Sequence, residues 1–294
     1  MMRRWIFIFF IGIFLSVFSS FLSADLSFAK NSNSIQVKGS DTMVNLVQAW
    51  AEEYMKSRPD AFIAVTGGGS GTGLAALING TCDVAVSSRQ IKQQEIGLAG
   101  KKGVVPSETK VALDGLAVVV HPANPVSQLT LEQLSDIFTG KTVNWKELGG
   151  EDLKIVVLSR EVNSGTHVYF KEHVLRKNDA NSTAEFSPDA LMMSSSQAIA
   201  DEVKNNKSAI GYYGMGYIGK DQKAVSLAPA EGSAYVFPSV DHVVAGDYPI
   251  SRPLFLYVNG QGNQEVKAFL DFILSPEGQA IVTHEDFVPI QTKT

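Results

Sequence analysis

Short apolar runs alternate with amphipathic stretches through most of this chain. Residues 35–38 have the pattern of a strand, and residues 43–55 carry apolar side chains at helical spacing. Residues 62–66 form the next extended run, and a glycine-rich loop at 67–73 opens the next helix. Repeated strand–loop–helix units of this length are typical of parallel strands covered by helices. The pattern therefore predicts an α/β fold built on mainly parallel sheets.

The same alternation continues to the C-terminal end of the sequence. Further strands are predicted at 84–86, 116–120, 155–158, 210–213 and 254–258, and further helices at 129–138, 167–175, 199–203, 265–274 and 276–282. Residues 178–190 are polar and rich in turn formers, which predicts a surface loop.

The N-terminal end differs from the rest of the sequence. Arg3 and Arg4 precede an apolar run over 5–18, and Ser-Phe-Ala at 27–29 is typical of a cleavage site. A positive region, an apolar region and a small-residue cleavage site together predict a secretory signal peptide at 1–29. The alternative is a membrane anchor that is retained. We expect the mature protein to be exported to the periplasm.

Charge and cysteine content exclude several classes. The formal net charge of -5 argues against a general nucleic-acid binder, which is usually basic. Cys82 is the single cysteine, so neither an internal disulfide framework nor a zinc site of several thiolates can form. The five histidines show no metal-ligand spacing. We therefore expect no metal and no cofactor.

One triplet, Ser-x-Thr, recurs where a predicted strand leads into a predicted helix. Its copies are Ser40-Asp41-Thr42, Ser70-Gly71-Thr72 and Ser164-Gly165-Thr166. A single copy is most simply a helix N-cap. Three copies in one context indicate more, because helix N-termini offer unpaired N–H groups and hydroxyls add donors. Such loops lie at the carboxyl ends of strands, where open α/β sheets bind ligands. The triplets therefore predict one shared anion site.

Arg160 strengthens that prediction. It follows the strand at 155–158 and can present a bidentate fork to oxygen atoms. The alternative is a surface ion pair with Glu161. Three helix ends supply roughly +1.5 and one arginine +1. This nearly balances the charge of about -1.5 to -2 on a phosphate group. A small, doubly charged oxyanion is the ligand that fits.

Enzyme motifs are incomplete. Residues 68–73 match G-x-x-x-x-G, but Leu74 stands where a Walker A lysine is required. No G-x-S-x-G surrounds Ser70, and no general base stands beside a nucleophile. We expect a binding protein with no catalytic residue. The alternative is a secreted phosphohydrolase or phosphate-transfer enzyme, which would need a metal cluster or an activated nucleophile.

Several segments together resemble the phosphate-binding proteins of bacterial Pst-type ABC transporters. They are residues 39–43, 67–73, 83–89, 137–145, 160–166, 209–212 and 274–279. The resemblance covers nearly the whole mature chain in the right order, so the set is specific although each segment alone is weak.

The resemblance implies a two-lobed periplasmic-binding-protein fold of type II. In that fold, two lobes joined by two crossover strands close over phosphate, and the monomer delivers it to permease subunits in the inner membrane. We place the crossovers at 116–120 and 254–258. Lobe one is then 30–115 plus 257–294, and lobe two is 116–256.

The resemblance also implies the ligands of phosphate. Lobe one would supply Ser40, Thr42, Ser70, Gly71, Ser88 and Arg89, and lobe two would supply Arg160, Ser164, Gly165 and Thr166.

One position departs from the family pattern. Better-known members carry an aspartate after the small-residue strand, and it accepts the proton of hydrogen phosphate. Here the aligned position is Arg89, next to Ser88, which can donate or accept. Asp41 is a candidate proton acceptor, with a helix cap as the alternative. Selectivity for phosphate over sulfate or molybdate therefore stays open.

Overall fold

The structure is a computed structural model that describes residues 34–290. The predicted signal peptide at 1–29 lies outside these residues. The strands are β1 Ser34–Gly39, β2 Phe62–Thr66, β3 Val84–Ser87, β4 Pro106–Val120, β5 Gln128–Thr130, β6 Val156–Arg160, β7 Leu191–Met193, β8 Ala209–Gly214, β9 Lys223–Ala224, β10 Ser226–Ala228, β11 Ser251–Asn259 and β12 Val288–Pro289. The α-helices are α1 Val44–Ser57, α2 Ser70–Ile78, α3 Gln93–Lys101, α4 Leu131–Thr139, α5 Gly165–Phe170, α6 Ser196–Asn205, α7 Val240–Ala245, α8 Gln264–Leu274 and α9 Pro276–His284. Short 3-10 turns lie at Asp41–Met43, Trp145–Leu148 and Met215–Tyr217, and a π-helix at Lys171–Leu175.

The main sheet has the strand order β2-β1-β3-β11-β4-β8-β6-β7. Strand β1 pairs in parallel with β2 and β3, and β6 pairs in parallel with β7 and β8. The long strands β4 and β11 run antiparallel between these two groups. The predicted α/β class with mainly parallel sheets is confirmed.

Strand β4 is much longer than predicted. The predicted run at 116–120 is only its end, because the strand begins at Pro106. Its first five residues are exposed or half-buried, whereas all of its last seven residues are buried. An apolar run reveals only the part of a strand that is buried on both faces. The part from Pro106 to Gly115 pairs with β11, and the part from Leu116 to Val120 pairs with β8.

Two large hydrophobic clusters lie along this sheet. One contains Trp50 and Phe269, and Trp50 donates its indole N–H to the Gly278 carbonyl at 2.7 Å. The other contains Phe138, Phe170 and Tyr212. The rings of Phe170 and Tyr212 stack with centroids 3.9 Å apart. The helices α1 and α8 therefore pack on one part of the sheet, and α4 and α5 on another.

The predicted helix at 129–138 begins too early. Leu129 lies in β5, and α4 starts at Leu131. The Thr130 hydroxyl accepts the Gln133 N–H at 3.1 Å, while the Gln133 side chain accepts the Thr130 N–H at 2.9 Å. This capping box ends the strand and starts the helix.

Among the helices of residues 34–290, none combines the length and the apolar character that crossing a membrane requires.

Candidate anion-binding site

The first and third Ser-x-Thr triplets meet through their threonines. Thr42 lies in the 3-10 turn after β1, and Thr166 lies in the first turn of α5. Their hydroxyl oxygens are 2.7 Å apart, and both side chains are buried. The fold thus brings together two hydroxyls that are 124 positions apart in sequence.

The second triplet meets the third at Gly165. The Ser70 hydroxyl accepts the Ser88 N–H at 3.0 Å and lies 3.3 Å from the Ser88 hydroxyl. A Cβ added to Gly165 would lie 2.3 Å from the Ser70 oxygen and 2.6 Å from the Ser88 oxygen. Only glycine permits this approach, because any side chain at 165 would displace the two serines.

Ser40 and Ser164 flank these contacts. Both are buried. The Ser164 hydroxyl accepts the N–H groups of Thr166 and His167 and caps α5. The Ser40 hydroxyl makes no capping bond, although Ser40 precedes the 3-10 turn.

Arg160 ends β6 and is buried, with 1% of its side chain exposed. Its Nη2 donates to the Asp41 carboxylate at 2.8 Å, and its Nη1 donates to the Ser196 hydroxyl at 3.1 Å. The alternative of a surface ion pair with Glu161 is wrong, because the side chain turns inward to Asp41.

Asp41 links the glycine loop to Arg160. One carboxylate oxygen accepts from Arg160, and the other accepts the Gly68 N–H at 2.9 Å. Asp41 therefore acts as an ion-pair partner in this structure rather than as the cap of α1, which begins at Val44. Burial raises the pKa of Tyr217 to about 12, so its phenol stays protonated and donates to the Asp41 carbonyl at 2.7 Å.

Arg89 lies near the serines but is engaged elsewhere. Its guanidinium makes a bidentate pair with Glu95, at 2.9 Å and 2.7 Å. Burial of the Glu95 carboxyl disfavours its ionised form, but the hydrogen bonds from Arg89 and from the Lys92 N–H outweigh this and lower its pKa. Arg89 stays close to the second triplet, since its Nη2 is 3.7 Å from where a Cβ of Gly71 would lie.

A buried ion pair, which the sequence analysis did not predict, lies beside Thr42 and Thr166. Asp114 of β4 and Arg252 of β11 are cross-strand neighbours, and both are almost wholly buried. The Asp114 carboxylate accepts from Nε and Nη2 of Arg252 at 3.2 Å and 2.9 Å. The same Nη2 lies 2.9 Å from the Thr166 hydroxyl and 3.4 Å from that of Thr42. The sequence does contain a signal for this pair, because Asp114 is an acidic residue inside an apolar run, and a carboxylate that is buried is almost always paired.

Ser196 was missed as well. It begins α6 and is fully buried against Arg160. Nothing in its local sequence distinguishes it from an ordinary residue in a first helical turn. Within residues 34–290, no group of three or more histidine, cysteine, aspartate or glutamate side chains could hold a metal ion.

The arrangement concentrates donors that suit an oxyanion. Four hydroxyls and one guanidinium group are buried within hydrogen-bonding reach of one another or beside Gly165, and a second buried guanidinium pairs with Asp41, which precedes Thr42 in sequence. The hydroxyls belong to Thr42, Ser70, Ser88 and Thr166, and the guanidinium groups to Arg252 and Arg160.

Comparison with known proteins identifies the family. A family model described as a PBP superfamily domain matches residues 27–277. The phosphate-binding protein PstS of Pseudomonas aeruginosa is 34% identical over 279 residues, which cover 89% of this chain and 84% of that protein. The chain belongs to the PstS family of the PBP superfamily. The resemblance inferred from the sequence is confirmed.

Two further proteins show how far the similarity extends. The phosphate-binding protein PstS of Bacillus subtilis is 35% identical over 262 residues, covering 89% of this chain and 82% of that protein. A phosphate ABC transporter substrate-binding protein from Clostridium perfringens, solved with bound phosphate, is 34% identical. It superposes with a TM-score of 0.79 and covers 88% of this chain and 100% of that chain. The relatives are thus named for binding and transport, and the periplasmic-binding-protein fold is confirmed.

Proposed function

We propose that this protein captures inorganic phosphate between two lobes and delivers it to the permease subunits of an ABC transporter. The observation that carries the proposal is the buried cluster of hydroxyls and guanidinium groups around Gly165. Its donors come from segments far apart in sequence, as closure over a ligand requires. The names of the PstS relatives support phosphate as the anion.

The proposed lobes are those of the sequence analysis, 30–115 plus 257–294 and 116–256, with 1–29 as the signal peptide. The two hydrophobic clusters support this division at its first boundary, between 115 and 116, but they put the second boundary before Leu254 rather than after residue 256. Apart from Val288, which joins the second cluster, they draw on different segments: 35–112 with 254–287 in one, and 116–250 in the other. Strand β4 contributes residues to both hydrophobic clusters, and strand β11 begins directly after residue 250, where the second segment ends. Both strands therefore run between the two clusters, which suits a hinge.

The proposed ligands are the ten predicted residues. Two sets of contacts support five of them: the Thr42 and Thr166 hydroxyls lie against each other, and the Ser70 and Ser88 hydroxyls lie against Gly165. Arg160 pairs with Asp41, the residue before Thr42, and Ser164 caps α5. We also propose that Arg89 joins the ligands when its pair with Glu95 rearranges.

Binding without catalysis is the proposed activity. It rests on the motif inventory and on relatives that are named as binding proteins. We further propose that the protein is exported to the periplasm and acts there as a monomer.

Titration calorimetry with phosphate, sulfate and molybdate tests the ligand. We expect phosphate to bind and equimolar sulfate not to compete. With Asp41 as the proton acceptor, Asp41→Asn should reduce the preference for phosphate over sulfate. Competition by equimolar sulfate would contradict selectivity for phosphate.

Replacing Arg160 tests the site. We expect Arg160→Ala to weaken phosphate binding by at least about 1.5–3 kcal/mol, the worth of a charged hydrogen bond. The matched control is Arg176→Ala, which removes an arginine that pairs with Glu185 near the surface. An unchanged affinity in Arg160→Ala would move the phosphate site elsewhere.

A further inference from the structure

Arg252 is a deeply buried arginine of the candidate site, and it is not among the predicted ligands of the anion. Only 2% of its surface is exposed, and it belongs to the regular strand β11, where it lies opposite Asp114. A guanidinium in such a position must be satisfied by partners, because an unpaired buried N–H is costly.

The partners of Arg252 occupy only part of its donor set. The Asp114 oxygen takes the side formed by Nε and Nη2. The other N–H of Nη2 points to the hydroxyls of Thr166 and Thr42. Nη1 is buried and has no hydrogen-bond partner. The Tyr169 ring makes a cation–π contact with the guanidinium group, and its centroid is 5.5 Å from the guanidinium carbon.

Guanidinium geometry gives the direction of the unused donor. The group is planar, and one N–H of Nη1 runs parallel to the outer N–H of Nη2. Because the Nη2 group faces the two threonines, the end-on fork of Arg252 faces them too. A tetrahedral oxyanion held by the threonine hydroxyls would receive both arms of this fork.

We propose that Arg252 is a direct anion-binding residue, which donates through Nη1 and Nη2 to the phosphate that Thr42 and Thr166 hold. Asp114 holds the guanidinium in place and balances its charge, so Arg252 contributes directed hydrogen bonds without adding net charge to the site. This inference rests on the proposed function, since it takes phosphate as the ligand.

The test removes the ion pair as a unit. Deleting Arg252 alone would leave a buried, unpaired Asp114, so the variant is Arg252→Met with Asp114→Asn, which keeps the net charge. The introduced amide needs no cationic partner and can still accept the Met215 N–H that Asp114 accepts at 3.1 Å. We expect calorimetry to show phosphate affinity reduced at least about tenfold. The matched control Arg58→Met, at a half-exposed arginine, should bind as wild type does.

A second variant keeps the inference testable if the double variant does not fold. Arg252→Lys retains the charge and the pair with Asp114 but loses the end-on fork. We expect its loss of affinity to be larger near about pH 8, where phosphate is mostly a dianion, than near about pH 6. A residue that only shapes the fold would weaken both forms equally.

The outcomes separate the two proposals. If the wild-type protein binds phosphate and a folded Arg252 variant binds it equally well at both pH values, only the role of Arg252 is overturned. Equal losses at both pH values would also overturn direct contact. If the wild-type protein binds no phosphate, the proposed function fails and this inference fails with it.

Discussion

Each buried arginine of the candidate site is matched by one buried or half-buried carboxylate. Arg160 pairs with Asp41, and Arg252 pairs with Asp114. The sequence analysis counted the charge of Arg160 as available to balance the charge of an anion. In the structure that charge is already balanced, so recognition depends on directed N–H and O–H donors more than on net charge.

His167 carries a residue-scale prediction about pH. Its ring is buried beside the Ser159 hydroxyl and Phe186, and burial lowers its pKa to about 4. An unfolded histidine titrates near about 6.5, so between these pH values the unfolded chain binds a proton that the folded protein does not. The contribution of the neutral His167 ring to the free energy of unfolding is therefore complete above about pH 6.5 and is lost as the pH falls towards about 4.

We expect His167→Gln to make the free energy of unfolding less dependent on pH in that window. Urea unfolding at a series of pH values measures this, with His284→Gln as the control at an exposed histidine. His173, whose pKa burial also lowers, remains in the variant, so the dependence should shrink without vanishing. A variant with the same pH slope as wild type would contradict the prediction.

At the scale of elements, the position of α2 against β1 depends on one close approach. A Cβ added to Gly73 would lie 2.4 Å from the Lys38 carbonyl oxygen and 2.6 Å from the Gly39 Cα. These are backbone atoms, which cannot turn aside as a side chain can. The first turn of α2 carries Ser70, so this contact also positions the second triplet.

We expect Gly73→Ala to destabilise the protein by about 1–3 kcal/mol, because overpacking forces the backbone to shift. Urea unfolding measures the loss. Gly97→Ala is the matched control in helix α3, where an added Cβ meets nothing within 4 Å. That change should be neutral or stabilise by up to about 1 kcal/mol, since alanine is the better helix former. Equal stabilities for the two variants would show that α2 tolerates the extra carbon.

At the scale of the whole molecule, Asn163 joins the glycine loop to the segment before α5. Its carbonyl accepts the Gly71 N–H at 2.9 Å. Its side-chain amide donates to the Gly68 carbonyl at 2.8 Å and to the Thr72 hydroxyl at 3.2 Å. These bonds connect the two proposed lobes at the edge of the candidate site, so they should favour the closed arrangement.

We expect Asn163→Ala to weaken phosphate binding by about 1–2 kcal/mol, the net worth of two hydrogen bonds, while the unfolding free energy without phosphate changes little. Small-angle scattering should show that phosphate makes the wild-type protein more compact and that the variant needs more phosphate for the same change. Asn181→Ala, in the exposed loop after the π-helix, is the control. A radius that phosphate does not change would argue against hinge closure.

Local patterns in the sequence predicted much of this molecule. The pattern of apolar residues identified the parallel strands β1, β3, β6 and β8, because burial alternates along β1 and is nearly complete along the other three. The Ser-x-Thr triplets identified Thr42, Ser70 and Thr166, because helix starts after strands have a recognisable composition. The exposed first part of β4 escaped notice, since the polar residues there resemble a loop.

The order of the residues was by itself enough to determine the α/β class, the family and the three segments that supply hydroxyls. Only the tertiary structure decided the partners of the charges. Arg160 meets Asp41 across 119 positions and Arg252 meets Asp114 across 138. Local propensity contains no information about contacts at such separations; they follow from which strands pair and which chain segments burial brings together.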